Sequence, residues 1–382
     1  MHLEQTDVIV VGGGISGVST ALALKSRGFD VVLFEQRFLA FGSSGRSLGA
    51  VWAHDVTSDD DLADFRATHS WYDDLSDRYG IQTGIDRSGR FVFAETDAEA
   101  AALIERVEQQ RAMGTVIEDV TPQHARRESG FVPETAVHSV FYPDDARVDL
   151  AGLVRDLGMA ATRLGVRTYE HTPVLRITRY GDDVTGVLTA RGEVRASAVV
   201  WAAGPWVQQL QPDGITVPLE VVRVGMLQTQ PTSPAFPIMA TSAAHLAERS
   251  TGRLVFEETF VQSAEGRLLI GSTFDRAGSL NPHLTADAAM QLIGAFHRRQ
   301  PQLGLLGVTG LWAGLVGMTA DQRPIIDKVG GLYVNVGHSA GAVTGPISGE
   351  QIAKLIAGET NESDLARFAI DRPSLSSLVE AE

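Results

Sequence analysis

The 382-residue sequence contains no cysteine, and this absence removes several kinds of chemistry at once. Without a thiol the chain cannot form disulfides, build a cysteine-ligated metal site, use a thiolate nucleophile or attach a cofactor through a thioether. Lysine is scarce as well, because it occurs only at Lys25, Lys328 and Lys354. Almost all positive charge is therefore carried by arginine, the residue better suited to bidentate binding of a carboxylate.

Long apolar runs and net positive charge are also lacking. No segment approaches the roughly 20 consecutive apolar residues of a membrane span, and the formal net charge is −15 at pH 7. An acidic chain is disfavoured as a nonspecific binder of nucleic acid or of anionic membranes. No basic segment precedes the first apolar run, so we expect a cytoplasmic protein. The hydrophobic content of 44% is enough for one large or two ordinary domains.

The first distinctive pattern lies between residues 7 and 35, and it predicts a strand, a glycine turn, a helix and a second strand. Gly12, Gly14 and Gly17 form G-x-G-x-x-G between a β-branched run and an apolar helical run. The first glycine permits the tight turn, the second lets the backbone approach a pyrophosphate, and the third allows close packing of helix and strand. Glu35 is placed to accept hydrogen bonds from ribose hydroxyls. The pattern predicts a dinucleotide site and favours FAD or NAD over NADP.

The rest of the chain predicts an α/β architecture with one insertion. Residues 214–309 carry half-exposed strand patterns typical of a mixed or antiparallel sheet. A strand, a glycine turn and a helix then return between Leu332 and Gly358. The predicted domains are a discontinuous Rossmann-like nucleotide-binding domain (1–89, 139–213 and 310–382) and an inserted α+β substrate domain (90–138 and 214–309).

Several separated segments together resemble one family. In chain order they are VIVVGGGISGVSTALAL with Glu35, GSSGRSLGAVWAH, Asp149–Trp206 ending in VVWAAGPW, GRLLIGST, GLWAGLVGMTADQRPIID and GLYVNVGHSAGAVTGPISGEQIAKLIAG. In their order and spacing the chain resembles the FAD-dependent amine oxidoreductases of the D-amino-acid-oxidase superfamily, especially the glycine oxidase and sarcosine oxidase branch. The resemblance covers most of the chain. It implies a glutathione-reductase-like FAD-binding domain, with FAD held noncovalently because cysteine is absent.

The resemblance also implies which residues hold FAD. The N-terminal turn would bind the ADP half, a serine-rich loop would lie near the pyrophosphate or the flavin edge, and the C-terminal glycine turn would wrap the flavin pyrimidine ring. A helix that begins there would direct its dipole at flavin N1 and C2=O and stabilise reduced flavin. The predicted cofactor residues are Gly12, Gly14, Ile15, Ser16, Gly17, Glu35, Gln36, Ser43, Ser44, Arg46, Gly49, Val174, Ala203, Gly204, Trp206, Gly314, Gly337, His338, Ser339, Ala340, Gly341, Val343 and Thr344.

The chemistry that the resemblance implies is hydride removal from the carbon beside an amine nitrogen onto flavin N5. Because the cofactor performs the hard step, we name no catalytic residue. Glycine oxidases that resemble this chain usually carry an arginine after Gly-Leu to bind the substrate carboxylate, whereas this chain has Val316. Phe260 stands near where relatives place a tyrosine that contacts substrate. Both differences favour a bulkier, N-substituted glycine over free glycine.

The substrate carboxylate then needs another cation, because a buried unpaired charge is costly. The predicted substrate-binding residues are Arg249, Arg253, Arg223, Arg323, Phe260 and His54, with Arg46 a further candidate. We expect the imine to hydrolyse to an amine and glyoxylate, with O2 as electron acceptor and H2O2 as its product. Two alternatives stay open: a proline- or opine-type dehydrogenase that passes electrons to a partner, and a flavin-binding subunit without turnover. The sequence predicts no metal site and leaves homo-oligomerisation open.

Overall fold

The computed structural model describes residues 4–53, 56–181, 183–210, 215–233, 236, 238–248 and 254–378. The strands in chain order are β1 (Glu4–Val11), β2 (Val31–Phe34), β3 (Ala50–Val51), β4 (Arg90–Ala94), β5 (Glu118–Val120), β6 (His138–Tyr142), β7 (Ala146–Arg147), β8 (Arg167–Tyr169), β9 (Val174–Tyr180), β10 (Asp183–Thr189), β11 (Gly192–Trp201), β12 (Glu220–Pro231), β13 (Met239–Ser242), β14 (Leu254–Gln262), β15 (Arg267–Arg276), β16 (Val308–Met318), β17 (Ile325–Val329) and β18 (Leu332–Val336). The helices are α1 (Ile15–Ser26), α2 (Asp59–Tyr79), α3 (Asp97–Ala112), α4 (Pro122–Glu128), α5 (Leu150–Arg163), α6 (Ala244–Glu248), α7 (Ala286–Arg299) and α8 (Gly341–Ala357). None of the helices within the described residues combines the length and apolarity of a transmembrane span.

Eight strands form the first sheet, in the order β17-β18-β11-β1-β2-β8, and β10 and β9 extend it from β11 as an antiparallel meander. The central pairs β1–β11 and β1–β2 are parallel. Side chains of β1 alternate between two cores: Val8 and Val10 pack with α1 and α5, whereas Ile9 and Val11 pack with the meander. Because both faces of this sheet are covered, its central strands are continuous apolar runs.

The second sheet also has eight strands, in the order β16-β12-β15-β14-β13-β4-β6-β5. Its neighbours pair antiparallel except for β13 and β4, which run parallel. One face packs against α7 through an aromatic core, and the other face looks toward the first sheet. The two sheets confirm the predicted fold class, a Rossmann-like domain with an inserted sheet domain.

The boundaries of the insertion differ from the prediction at two strands. Strand β6 pairs with β4 and β5 of the second sheet, although the predicted boundary at 139 assigns residues 139–142 to the nucleotide-binding domain. The second difference lies at β16. This strand pairs with β12 along its length, so residues 308–318 belong to the second sheet, although the predicted boundary at 310 assigns most of them to the nucleotide-binding domain. The glycines at Gly310, Gly314 and Gly317 interrupt the alternation of apolar and polar side chains that marks a strand. Long-range pairing with β12 decides the assignment instead.

Helices α1 and α8 pack closely beside the first sheet because glycines line their contact. At the contact of the two helices, a Cβ at Gly349 would stand 2.6 Å from the backbone nitrogen of Thr20. Within the turn that begins α1, a Cβ at Gly17 would stand 2.0 Å from the oxygen of Gly12. A side chain cannot occupy either space without moving the backbone. The start of α8 also reaches the start of α1, since a Cβ at Gly341 would lie 3.8 Å from Cγ2 of Ile15.

We predict that Gly349→Ala lowers the free energy of unfolding by about 1–3 kcal/mol, because the added methyl group overpacks a backbone contact. Gly294→Ala is the matched control in α7, where the added Cβ meets only the flexible end of Arg298 at 3.4 Å. That control should stabilise the protein by about 0.5–1 kcal/mol, since alanine is the better helix former. Denaturant titration measures both changes, and effects of the same sign and size would contradict the packing described here.

Candidate active site

A cavity of about 880 Å³ lies between the two sheets. The first sheet contributes the turn between β1 and α1, the end of β11 and the turn before α8. The second sheet contributes the inner faces of β12, β14, β15 and β16, and the loop before β3 completes the wall. The volume falls within the range of about 300–1,000 Å³ that is typical of ligand pockets.

Most of the predicted cofactor residues line this cavity, although they come from distant parts of the sequence. They are Gly12, Gly14, Ile15, Ser16, Glu35, Gln36, Ser43, Ser44, Arg46, Val174, Ala203, Gly204, Trp206, Gly314, Gly337, His338, Ser339, Ala340 and Gly341. Gly17 and Gly49 do not line it, because their missing side chains make room for backbone; a Cβ at Gly49 would stand 1.8 Å from the oxygen of Val148. Val343 and Thr344 line a second, smaller cavity next to it.

At the first glycine turn, Gly12 has no room for a side chain, whereas Gly14 has open space beside it. A Cβ at Gly12 would stand 2.3 Å from the oxygen of Ala202, and the φ angle of +115° at this residue also favours glycine. A Cβ at Gly14 would meet only Oγ of Ser44, at 3.3 Å. The backbone of Gly14 is therefore open to a ligand, as the predicted approach of a pyrophosphate requires.

Two helix N-termini open into the cavity without a side-chain cap. Helices α1 and α8 follow Gly14 and Ala340, and neither residue provides a capping hydrogen bond. Five other helices begin with a side chain that accepts a backbone N–H: Ser58, Thr96, Thr121, Asp149 and Thr285. In α1 one N–H group, that of Ile15, is bound by Oγ of Ser44 at 3.1 Å. The remaining donors and the two helix dipoles suit a pyrophosphate at α1 and, at α8, an electron-accepting ring that gains negative charge, so the chain's own groups fit FAD.

Glu35 is held at the far end of the cavity by backbone donors. Its two carboxylate oxygens accept the N–H groups of Gly13 and Arg37, each at 2.8 Å. Burial raises the pKa of Glu35, and the backbone hydrogen bonds oppose that rise. A carboxylate has about four lone-pair positions, so two of them are left to accept ribose hydroxyls. Val174 lines the same cavity.

His338 sits in the turn before α8 as a neutral ring. Its Nε2 lies 3.0 Å from Oδ1 of Asn335, whose amide nitrogen donates to Oγ1 of Thr20 at 3.2 Å. This orientation assigns the ring proton to Nε2, and Nδ1 lies 2.9 Å from Oγ1 of Thr344. Burial lowers the pKa of His338 to about 4, so the ring carries no charge at neutral pH. The positive potential in this turn comes from the N-terminus of α8.

Arg223 does not line the cavity, contrary to the prediction. On β12 the side chains of Val222 and Val224 face the cavity, and the strand's alternation sends Arg223 to the opposite face. There its guanidinium donates to the carboxylate of Asp275 at 2.9 Å and to the backbone oxygen of Asn281 at 3.2 Å.

Phe260 and Arg323 also lie away from the cavity. The ring of Phe260 is fully buried on the α7 side of the second sheet and stacks on Phe131, with centroids 5.3 Å apart. Arg323 donates to both carboxylate oxygens of Asp61, each at 3.1 Å, and borders the smaller cavity. The other predicted substrate residues, His54, Arg249 and Arg253, fall outside the described residues.

Arg46 lines the main cavity beside the loop serines. One of its terminal nitrogens donates to the backbone oxygen of Gly42 at 3.2 Å, and its guanidinium carbon lies 4.7 Å from the ring centroid of Phe41. Burial lowers the pKa of Arg46. In the described parts of the chain no carboxylate forms a salt bridge with it, so its charge is open to an anionic ligand.

Sequence reasoning missed the inner face of the second sheet. The cavity residues from this face that it did not name, together with two from adjacent segments, are Trp52, Glu220, Val222, Val224, Met226, His245, Val255, Glu257, Ser272, Phe274, Asp275, Arg276, Gly317 and Met318. The alternating pattern of β12 carried a usable signal, because it separates residues 222, 224 and 226 from residues 223 and 225. The pattern does not say which of the two sets faces a ligand.

Two packed sheets that enclose a dinucleotide turn define a nucleotide-dependent oxidoreductase. A family model described as DAO, FAD dependent oxidoreductase, matches residues 7–355. The chain therefore belongs to the DAO family of FAD-dependent oxidoreductases, and its cofactor is FAD. This confirms the family and the cofactor predicted from the sequence.

Known relatives cover nearly the whole chain. The glycine oxidase of Geobacillus kaustophilus is 26% identical over 96% of this chain and 97% of its own length. The crystal structure of glycine oxidase from Geobacillus kaustophilus superposes with a TM-score of 0.85 at 25% identity, over 97% of this chain and 99% of that one. The mitochondrial pyruvate dehydrogenase phosphatase regulatory subunit of Mus musculus is 27% identical over 95% of this chain, which spans only 43% of that protein.

We predict that Glu35→Gln weakens FAD binding by about 1–3 kcal/mol, because the neutral amide loses charge-assisted hydrogen bonds and keeps only one acceptor oxygen. Fluorescence titration of the apoprotein with FAD measures the loss. Glu170→Gln is the control, since Glu170 accepts the N–H of Leu39 at 2.7 Å in the neighbouring loop and does not line the cavity. Equal FAD affinity in the two variants would remove Glu35 from the site.

Proposed function

We propose that this protein oxidises the C–N bond of an amino acid, and that its substrate is an N-substituted glycine. The products would be an imine that hydrolyses to a primary amine and glyoxylate, with O2 as electron acceptor and H2O2 as its product. FAD, when bound, supplies the hydride acceptor, and the predicted cofactor residues on the cavity wall other than Arg46 would hold it. Because cysteine is absent, we propose that it is held noncovalently.

The observation that carries this proposal is a set of apolar side chains on the part of the cavity wall that β12 and β16 form. Val222, Val224 and Met226 of β12 and Val316 and Met318 of β16 all line the cavity. Glycine itself has no apolar group to place there, whereas an N-substituent would bury against these side chains at roughly 25 cal/mol per Å² of apolar surface. The valine at position 316 also removes the arginine that resembling glycine oxidases use for the carboxylate.

Arg46 offers the cation that the substrate carboxylate needs. Its guanidinium is partly buried, lines the cavity and has no salt-bridge partner within the part of the chain that the structure describes. A planar guanidinium binds a carboxylate through two parallel hydrogen bonds, which orients the ligand as well as holding it. Packing of Arg46 on Phe41 limits its rotamers and so aims the charge.

The chain's own groups bind and orient rather than perform acid–base steps. The inner face of the second sheet covers the cavity and excludes water from the reacting carbon. The N-terminus of α8 presents backbone N–H groups and positive potential, which stabilises the negative charge of a reduced ring system. The neutral His338 holds this turn through Asn335 and Thr344 without adding a charge.

A second candidate is a flavin-binding subunit without turnover. One relative over nearly the whole chain is named a regulatory subunit, so sequence similarity in this family extends beyond proteins named as oxidases. A dehydrogenase that passes electrons to a partner is the third candidate. The same measurement of flavin reduction and reoxidation separates all three.

We predict that N-substituted glycines reduce the bound flavin faster than glycine does. Anaerobic stopped-flow mixing with glycine, sarcosine, longer N-alkylglycines and proline measures the rates, and product analysis tests for glyoxylate. Rapid reoxidation in air indicates an oxidase, and slow reoxidation indicates a dehydrogenase. If no amine reduces the flavin, the protein is not an amine-oxidising enzyme.

Arg46→Met should lower kcat/KM by a factor that corresponds to about 2–5 kcal/mol of lost transition-state stabilisation, because the buried carboxylate of the substrate loses its cation. FAD affinity should change by less than about twofold, since backbone donors hold the pyrophosphate in this scheme. Arg46→Lys keeps the charge but lacks the planar guanidinium, so it should restore part of the kcat/KM that Arg46→Met loses. A large loss of FAD affinity with normal kcat/KM would assign Arg46 to the cofactor instead.

A further inference from the structure

A second cavity of about 130 Å³ adjoins the main one. Four of the described residues line both cavities and so form the wall between them: Trp52, Gln322, Ser339 and Ala340. Trp52 has by far the largest side chain of the four. Ser339 and Ala340 belong to the C-terminal glycine turn, so Trp52 stands at the end of the cavity that we assign to flavin and substrate.

Trp52 is held in place by a buried guanidinium. The guanidinium carbon of Arg90 lies 4.7 Å from the ring centroid of Trp52 and 5.0 Å from that of Tyr142. Its Nε donates to Oδ2 of Asp145 at 2.7 Å, and the two residues are only 1% and 0% exposed. Asp145 in turn accepts the backbone N–H of Ala53 at 2.8 Å. Arg90 and Asp145 together therefore contact both the indole of Trp52 and the main chain beside it.

A buried glutamine fastens the other side of the same main-chain segment. Nε2 of Gln110 donates to the backbone oxygens of Ala53 at 2.8 Å and Val56 at 3.2 Å, and its Oε1 accepts the hydroxyl of Tyr142 at 2.8 Å. Arg90, Gln110 and Tyr142 come from β4, α3 and β6, all on the substrate-domain side. The second sheet and its helix thus fix a loop that forms the wall of the main cavity.

Stability alone is a weak reason for this network. The desolvation of two buried ions roughly cancels their attraction, and apolar side chains of similar volume often serve as well. A fully satisfied buried network does enforce one geometry, because every alternative leaves a polar group unpaired. The geometry enforced here is that of the loop carrying Trp52.

We propose that Trp52 is a specificity-determining partition that sets how long an N-substituent the cavity accepts, and that Arg90 and Asp145 are the positioning pair that holds it. This inference rests on the proposed function, since it takes the main cavity as the substrate site. With Trp52 in place the cavity ends at the indole. Without it the main cavity continues into the second one, and longer substituents gain room.

Ligand binding tests the partition without turnover. Alkylthioacetates of increasing chain length keep the carboxylate of an N-alkylglycine and replace its nitrogen by sulfur, and changes in flavin absorbance report their Kd. In the wild type we expect affinity to fall once the chain reaches the indole. Trp52→Ala should shift the ratio of Kd for short and long chains by at least about tenfold toward the long ones. Trp52→Phe keeps a ring under the guanidinium and should stay closer to the wild-type profile.

Arg90→Lys tests the positioning pair, and Arg299→Lys is its matched control. Arg299 is also a buried guanidinium, bound to Glu258 at 2.9 Å and lying 5.1 Å from the ring centroid of Phe93, but it does not line the cavity. Both substitutions should lower Tm, because each replaces a planar fork by a point charge. Only Arg90→Lys should shift the ratio of Kd for short-chain and long-chain alkylthioacetates.

Two results would overturn the inference. One is that the dependence of Kd on alkyl chain length in Trp52→Ala is the same as in the wild type. The other is that Arg90→Lys and Arg299→Lys shift this dependence equally, which would mean that both substitutions act only by destabilising the protein. Alkyl methyl sulfides of the same lengths, which lack the carboxylate, separate this failure from that of the proposed function. If the wild type binds these sulfides with a length limit but binds no alkylthioacetate, the amino-acid substrate is wrong and the partition stands.

Discussion

The close contact of α1 with α8 is the constraint on which the rest of the structure depends. Gly349 lets the backbone of α8 approach that of α1, and the start of α8 at Gly341 lies beside Ile15 at the start of α1, so the two helices begin side by side at the same cavity. Neither N-cap residue provides a capping side chain, so backbone N–H donors and the positive dipole ends of both helices face a common space. A cofactor with a pyrophosphate at one end and an electron-accepting ring at the other matches this arrangement.

The second sheet covers the cavity, and its two faces differ chemically. Its inner face carries apolar side chains of β12 and β16 that, in our proposal, contact the substrate beside the flavin. Its outer face carries charged and aromatic groups: Glu258 binds Arg299 of α7, and Phe260 stacks on Phe131 of the segment after α4. Because successive side chains of a strand point to opposite faces of the sheet, the neighbours of residues that pack on α7 point toward the cavity.

Family membership and substrate choice are carried by different residues. The glycine turns and Glu35 form the nucleotide frame that a DAO-family chain needs for its cofactor. Val316, Arg46 and Trp52 lie on the same cavity wall but belong to the part that contacts the substrate in our proposal. Conserving the frame while varying this wall would let one fold oxidise different amines, because the cofactor performs the hard step in every case.

The sequence by itself determined the nucleotide-binding frame, because its signal is local: glycine spacing, a β-branched run and an acidic residue all lie within residues 7–35. Tertiary structure decided which side chains face the substrate. Strand β16 with its three glycines shows a sheet only through its pairing with β12, and that pairing sets the face on which Arg223 and Val316 lie. The partners of Trp52 likewise come from β4 and the segment before β7. Such contacts depend on chain segments far apart in sequence, so no local pattern contains them.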